Sequence, residues 1–291
     1  MNNDTAILGN LNYSCNLLFL DSNRSDIRSP GPILNQFPYW VFSYCFGEGG
    51  EIVFIKNNKS FHSRHGHVSI VPADTLYKAR LMQNENNIYH WIQVKFEFCH
   101  FLDPLFYLDL PDVLSKELSE KILQIGERII EVKQDEDMSE INKAVEFNYA
   151  GILLLKLLCS NFQWKPFPDF NSKEFNSLQA AVAAMKINPA KRFSIEQLAS
   201  SASMSIATFY RYFKRTFKTT PAAYLEKLRM GEAVDLLCIK GYSIGETANK
   251  LNYCDQFQFS RAFKKFYGQS PSQYRDNYKH GVFQYFKNKP V

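Results

Sequence analysis

No stretch of the 291 residues is long and apolar enough for a membrane-spanning helix, which needs about 20 residues. The longest candidate, residues 150–159, is interrupted by Lys156. The first ten residues, MNNDTAILGN, lack the basic start and apolar stretch of a secretory signal, so a cytoplasmic protein is expected. Six cysteines (Cys15, Cys45, Cys99, Cys159, Cys238 and Cys254) lie far apart with no CxxC pair. That spacing argues for reduced thiols rather than a disulfide framework or a zinc finger. The chain also lacks a phosphate-cradling glycine loop, a nucleophile elbow and a paired-carboxylate motif. These absences argue against a nucleotide-binding or hydrolytic enzyme, and no cofactor is expected.

What is present divides into two halves. Residues 171–291 hold 19 Lys and Arg against 8 Asp and Glu, whereas residues 1–170 hold 15 against 21. A basic half joined to an acidic half suggests that one of them meets a polyanion. The alternative is ordinary variation in surface charge. The acidic half reads first as β structure. Residues 39–46 (YWVFSYCF), 51–56 (EIVFIK), 67–71 (HVSIV), 77–82 and 88–98 (IYHWIQVKFEF) are short and rich in aromatic and β-branched residues. Breakers such as Gly47-Glu48-Gly49-Gly50 and Asn57-Asn58 separate them, a spacing that suits an antiparallel sandwich or barrel. Residues 114–132 then turn to a helical period, and a second helix is expected over about 138–159. Two such helices can cover the barrel or pair with a second subunit. Residues 161–173, with two prolines, read as a linker, and everything after them reads as helical.

The basic half contains an internal repeat. Phe193-Ser194-Ile195 and Ala199 recur as Tyr242-Ser243-Ile244 and Ala248, 49 residues on. Phe209, Arg211, Phe213, Lys214, Phe217, Pro221 and Tyr224 recur as Phe259, Arg261, Phe263, Lys264, Tyr267, Pro271 and Tyr274, 50 residues on. Each copy reads as a short helix, a turn and a longer helix, over 194–218 and 243–267. Ser194 and Ser243 are placed to cap the first helices, and Ser205 and Asp255 to start the second ones. Aromatic residues every four positions form the buried stripe of each longer helix. Ala207, Thr208, Tyr210, Arg211, Lys214 and Lys218 are left outward in the first copy. Gln256, Phe257, Gln258, Arg261, Lys264 and Lys265 are left outward in the second. Small, polar and basic side chains on one helix face suit entry into the DNA major groove. Arg can bond guanine edges, Gln adenine edges, and Lys can neutralise phosphates. A basic face on one helix is usually only solvated; two copies with matching caps, stripes and cations argue for DNA. A helix over about 222–238 joins the copies, long enough to set two reading helices about 34 Å apart on one DNA face.

At these residues the sequence resembles the AraC/XylS family of transcription regulators. The resemblance runs over 194–237 and 243–275 and is most specific in FSRAFKKFYGQSPSQYR, residues 259–275. It implies base contacts at Ala207, Tyr210 and Arg211 in the first unit, and at Gln256, Phe257, Gln258 and Arg261 in the second. Thr208, Lys214, Lys218, Lys264 and Lys265 are then expected on the DNA backbone. The family usually has Gly-Phe in the second turn, where this chain has Asn252-Tyr253; Asn tolerates the left-handed backbone, so the turn is expected to survive. The N-terminal half is similar, more weakly, to the family's cupin-type sensing barrel. Trp91, Tyr77 and Tyr89 are the candidate ligand contacts, with Trp40 and Arg64 behind them, and an aromatic face at a barrel mouth suits a sugar. Trp91 can equally be a packing residue.

His62, His65 and His67 raise a metal reading, since metal-binding cupins use an HxH pair. No Glu follows at ligand distance and no later His aligns, so no metal is expected. The resulting expectation is an α+β multidomain protein. A cupin-like antiparallel β-barrel occupies 1–110, helices that pack on it or form a dimer interface 111–160, a linker 161–173, and an all-α domain with two helix-turn-helix units 174–280. It would be a sugar-responsive regulator, by family habit an activator, and not an enzyme. Its partners would be an operator duplex, a carbohydrate effector, RNA polymerase and a second copy in a homodimer. The alternative from another class is a metal-dependent cupin enzyme tethered to DNA. A barrel interior filled with side chains would favour DNA binding with no ligand.

Overall fold

Eight strands precede eight α-helices in a computed structural model that describes residues 15–26, 33–81, 88–98, 102–166, 173–217, 219–276 and 278. The first sheet is β1 (Cys15–Asp26), β8 (Ile88–Phe98), β3 (Trp40–Cys45) and β6 (Val68–Val71), in that order across the sheet. The second is β2 (Ile33–Asn35), β7 (Tyr77–Leu81), β4 (Gly50–Phe54) and β5 (Ser60–Ser63). All pairings within them are antiparallel. In β3, Val41 lies opposite Val71 and Gln93, and Ser43 opposite Ser69 and Trp91. Side chains alternate across a strand, so this set shares one face. Val41, Val71 and Trp91 meet Phe54 and Tyr77 of the second sheet, which makes that face the barrel interior.

The other face of the first sheet carries Trp40, Phe42, Ile70, Ile92, Val94 and Phe96. Two helices cover it, α1 (Lys116–Gln134) and α2 (Glu140–Asn161), capped by Ser115 and Ser139. Because both faces of β8 are covered, its burial is nearly continuous rather than alternating. Close approach of α1 requires Gly126, where a Cβ would stand 2.5 Å from His90 Nε2. His90 shares a 2.7 Å hydrogen bond with Ser22 Oγ, and burial lowers its pKa to about 4. Sequence reading found five of the strands but not β1, β2 or β5. β1 (CNLLFLDSNRSD) is an edge strand with a polar second half, and β5 (SFHS) is four residues long, so neither offers an apolar alternation.

The helical part contains α3 (Lys173–Ile187), α4 (Ile195–Ser201), α5 (Ile206–Phe217), α6 (Pro221–Val234), α7 (Ile244–Lys250) and α8 (Gln256–Tyr267). It has two separate cores. One gathers α3, α4, α5 and the start of α6 around Phe209 and Phe213. The other gathers the end of α6, α7 and α8 around Phe259, Phe263 and Tyr267. The joining helix departs from the sequence expectation of one α-helix to about residue 238. It ends at Val234 and continues as a π turn, Asp235–Ile239, in which Lys240 N–H donates to Asp235 C=O at 2.9 Å. No helix of the described residues is long and apolar enough to cross a membrane.

Candidate nucleic-acid interface

The two repeats fold into two equivalent units. Ser194 accepts from the Gln197 amide and Gln197 returns a bond to the Ser194 amide; Ser243 and Glu246 form the same capping box in the second unit. Each short helix ends in a turn with one left-handed residue, Ser203 at φ 53° and Asn252 at φ 57°. These positions are 49 residues apart, as the first repeat offset requires. Asn252 steadies its turn further by donating from Nδ2 to Ala190 C=O at 3.2 Å. The longer helices start on side-chain caps: Thr208 N–H donates to Ser205 Oγ at 3.3 Å, and Gln258 N–H to Asp255 Oδ1 at 2.6 Å. The aromatic stripe is buried as the period implies, with Phe209, Phe213, Phe259, Phe263 and Tyr267 all at 0% exposure.

On α5, Ala207, Tyr210, Arg211 and Lys214 are exposed and Thr208 is half-buried, its hydroxyl engaged by Ser205 at 2.9 Å. Lys218 lies outside the described residues. On α8, Gln256, Phe257, Arg261, Lys264 and Lys265 are exposed. Phe257 is 65% exposed on an otherwise polar face, an arrangement that hydration disfavours and that suits a partner with methyl groups. Gln258 is less free: its Oε1 accepts from Cys254 N–H at 3.0 Å, so a bidentate base contact requires that bond to open. Arg211 and Arg215 lie over the Tyr212 ring, at 5.5 Å and 4.8 Å from its centroid, which stiffens the cationic edge of the first unit.

The barrel separates the five candidate ligand contacts. Trp91 and Tyr77 meet in the interior cluster with Val41, Phe54 and Val71. Tyr89 is on the same face of β8, its hydroxyl 3.4 Å from Ser63 Oγ, and burial pushes its pKa up to about 12. Trp40 points the other way. It packs 5.0 Å from the Phe106 ring and donates from Nε1 to Asp103 at 3.0 Å. Burial pushes the Asp103 carboxyl up to about 7, against the hydrogen bonds from Leu105 N–H and Trp40. Arg64 is exposed in the loop after β5. Three interior residues escaped the sequence reading: Ser43, Ser69 and Gln93. The signal was the period of two counted from Trp91, which puts Gln93 on its face. Ser69 Oγ and Gln93 Oε1 are buried and, among the described residues, have no hydrogen-bond partner. His65 and His67 each turn Nδ1 to a backbone carbonyl, of Phe46 and Leu114. Among the described residues no cluster of three His, Cys, Asp or Glu side chains has metal-binding geometry.

Residues 198–277 match the family model described as a helix-turn-helix domain. The chain is 39% identical over 98 residues to the HTH-type transcriptional regulator AlkR of Acinetobacter baylyi, covering 34% of this chain and 32% of AlkR. It is 31% identical over 148 residues to the raffinose operon transcriptional regulatory protein RafR of Pediococcus pentosaceus, covering 48% of this chain and 53% of RafR. The chain thus spans about a third to a half of the length of these curated relatives. In fold, it resembles the crystal structure of unsaturated fatty acid bound ToxT from Vibrio cholerae, with a TM-score of 0.58 at 11% identity, covering 88% of this chain and 94% of that one. The matched residues hold both turns, both longer helices and the second capping box, and the relatives similar to them are transcription regulators.

Proposed function

We propose that the chain binds operator DNA through α5 and α8 and regulates transcription in the bacterial cytoplasm under control of a small molecule held in the barrel. The observation that carries the DNA reading is the doubling: two units with the same caps, the same left-handed turn and the same buried stripe expose polar and basic side chains at matching helix positions. Arg211 and Arg261 read bases, helped by Ala207, Tyr210, Gln256, Phe257 and Gln258. Thr208, Lys214, Lys218, Lys264 and Lys265 hold phosphates. Selection from a random duplex library with the purified chain tests this. It should enrich two half-sites about one helical turn apart; enrichment of a single site, or of none, overturns it.

The effector is a sugar or sugar derivative. Trp91, Tyr77 and Tyr89 supply an aromatic wall, and Ser69 and Gln93 supply polar atoms that a hydroxyl-rich ligand would satisfy. RafR, named for a raffinose operon, supports this class. The packed cluster around Trp91 and Tyr77 favours a second reading, in which the barrel is only a scaffold. Thermal shift against a sugar panel and an unsaturated fatty acid separates the three cases. A ligand of the native state raises the melting temperature by mass action; a rise with a fatty acid alone overturns the sugar, and no rise favours the scaffold. By linkage, the effector must bind the DNA-competent and incompetent arrangements unequally. Activation through contact with RNA polymerase is part of the proposal, as is a homodimer. For the latter, α2 exposes Ile141, Val145, Tyr149 and Ile152 on the face away from its buried Ala150, Leu154 and Leu158. A second copy would cover this stripe at the spacing of a coiled-coil seam, and sedimentation at increasing concentration tests it.

A further inference from the structure

The loop between β2 and β3 belongs to the barrel in sequence but ends in the second DNA-binding unit. The side chain of Phe37 packs against two cores at once. On one side it touches the interior cluster of Val41, Phe54, Val71, Tyr77 and Trp91. On the other it joins the second unit's core, with its ring 6.2 Å from Tyr274 and 6.5 Å from Tyr278, both edge-on. Its neighbours reinforce the same contact. Tyr274 OH donates to Gln36 C=O at 2.7 Å, and Tyr39 OH donates to Asp235 Oδ1 at 2.5 Å. Asp74, whose N–H donates to Phe37 C=O at 2.7 Å, pairs with Lys227 of α6 at 2.7 Å. Among the described residues, the first unit's core does not include this loop. That unit meets the barrel elsewhere, through Leu102 in its core and through Tyr107 OH, which donates to Thr216 C=O at 3.4 Å.

The point gripped on the joining helix is its irregular one. Asp235 opens the π turn, and the residues after it, Leu236 and Leu237, enter the second unit's core. A π turn holds one residue more than an α turn. Reversion to the α form would shift everything after it by about one residue, roughly 100° about the axis. The turn therefore sets the phase of α8 relative to α5.

We propose that Phe37, with the Tyr39–Asp235 hydrogen bond, couples the barrel interior to the phase of the second reading helix. Phe37 acts as a positioning residue for α8 and touches no DNA. A ligand that enters beside Trp91 and Tyr77 on the side where Phe37 packs would displace or compress the Phe37 ring. The displacement loosens the loop, frees Asp235 and lets the π turn and α8 move while α5 stays in place. This rests on the effector reading for its trigger but not for its mechanics.

The test uses the full-length chain and a duplex selected by the wild type from a random library. Phe37→Ala, Tyr39→Phe and Asp235→Ala are compared by amide hydrogen exchange and by binding to that duplex with one base pair added between the half-sites. Exchange over residues 244–267 should speed by about tenfold, with residues 195–217 and 88–98 unchanged. The wild type should lose affinity on the added base pair, and the variants should lose several-fold less. Tyr39→Phe and Asp235→Ala should not add, since each breaks the same bond. Faster exchange in the barrel as well, or equal effects on both units, would mean that Phe37 is only a packing residue, and the proposal falls. If the variants behave as stated while no sugar changes the exchange of residues 244–267, the coupling stands and the effector reading fails.

Discussion

The two helix-turn-helix units are built alike and tethered differently. Both use a capping box, a left-handed turn residue and an aromatic stripe at 0% exposure in its central positions. The first shares its core with α3 and with Leu102, so it rests on a helix and on the end of the sheet. The second shares its core with Phe37, and its joining helix is held by a hydrogen bond from Tyr39. A repeated unit is therefore not repeated in what it packs against. The unit with the richer set of outward amide, aromatic and cationic side chains is also the one within reach of the barrel interior.

The largest expected effect tests whether the two cores are independent. Phe263→Ala removes a fully buried ring and should cost about 3–5 kcal/mol. With separate cores, exchange should rise over α7 and α8 and leave α4 and α5 protected. Loss of protection in both units would show that they fold as one. Next in size is the DNA contact. Arg261→Ala should weaken binding to a selected operator by about 1–3 kcal/mol and relax one base position. Arg211→Ala should do the same in the other half-site. Gel-shift series with single-base variants read both, and an unchanged preference for either removes that arginine from the reading face.

The repeat was legible because every constraint on it is local. Caps, a period of four and a left-handed turn are each set by residues within a few positions, and all recur. Asn252 illustrates this: sequence placed a left-handed residue there in place of glycine, and its φ is 57°. The barrel was legible where strands are rich in aromatic and β-branched residues and bounded by breakers. β8 (IYHWIQVKFEF) is long and rich in such residues, while β1 has a polar second half and β5 is only four residues long. Trp40 shows the cost of reading aromatics without register. It is adjacent to Val41, and a shift of one residue exchanges interior for exterior, so it faces Asp103 rather than Trp91. The contacts of Phe37, Tyr39 and Asp235 were beyond sequence reading for a different reason. They join residues 196 positions apart, and no period or motif links them.

The two turns allow a finer comparison. Ser203 and Asn252 hold the same left-handed geometry, which costs most residues about 1–2 kcal/mol and Asn less. Ser203→Gly should therefore stabilise the first unit by up to about 1 kcal/mol, a gain offset in part by the greater freedom of glycine in the unfolded chain. Asn252→Gly should be near neutral or slightly destabilising, because it also removes the bond to Ala190 C=O. Denaturant midpoints of the two variants should thus move in different directions. Equal shifts would mean that the Asn252 side chain adds nothing to its turn.

The smallest effect concerns the cations. Lys264 is exposed near the end of α8, and its proposed partner is a phosphate rather than a base. Lys264→Ala should weaken binding to all duplexes alike and lower the salt slope of log K by about one unit. Lys214→Ala, at the matching position of α5, should do the same if the two units sit equally deep in their grooves. A full unit from Lys264 and none from Lys214 would mean that the second unit docks more closely. Regulation acting on α8 would then act where most of the binding energy lies, and the tether through Phe37 would govern affinity as well as spacing.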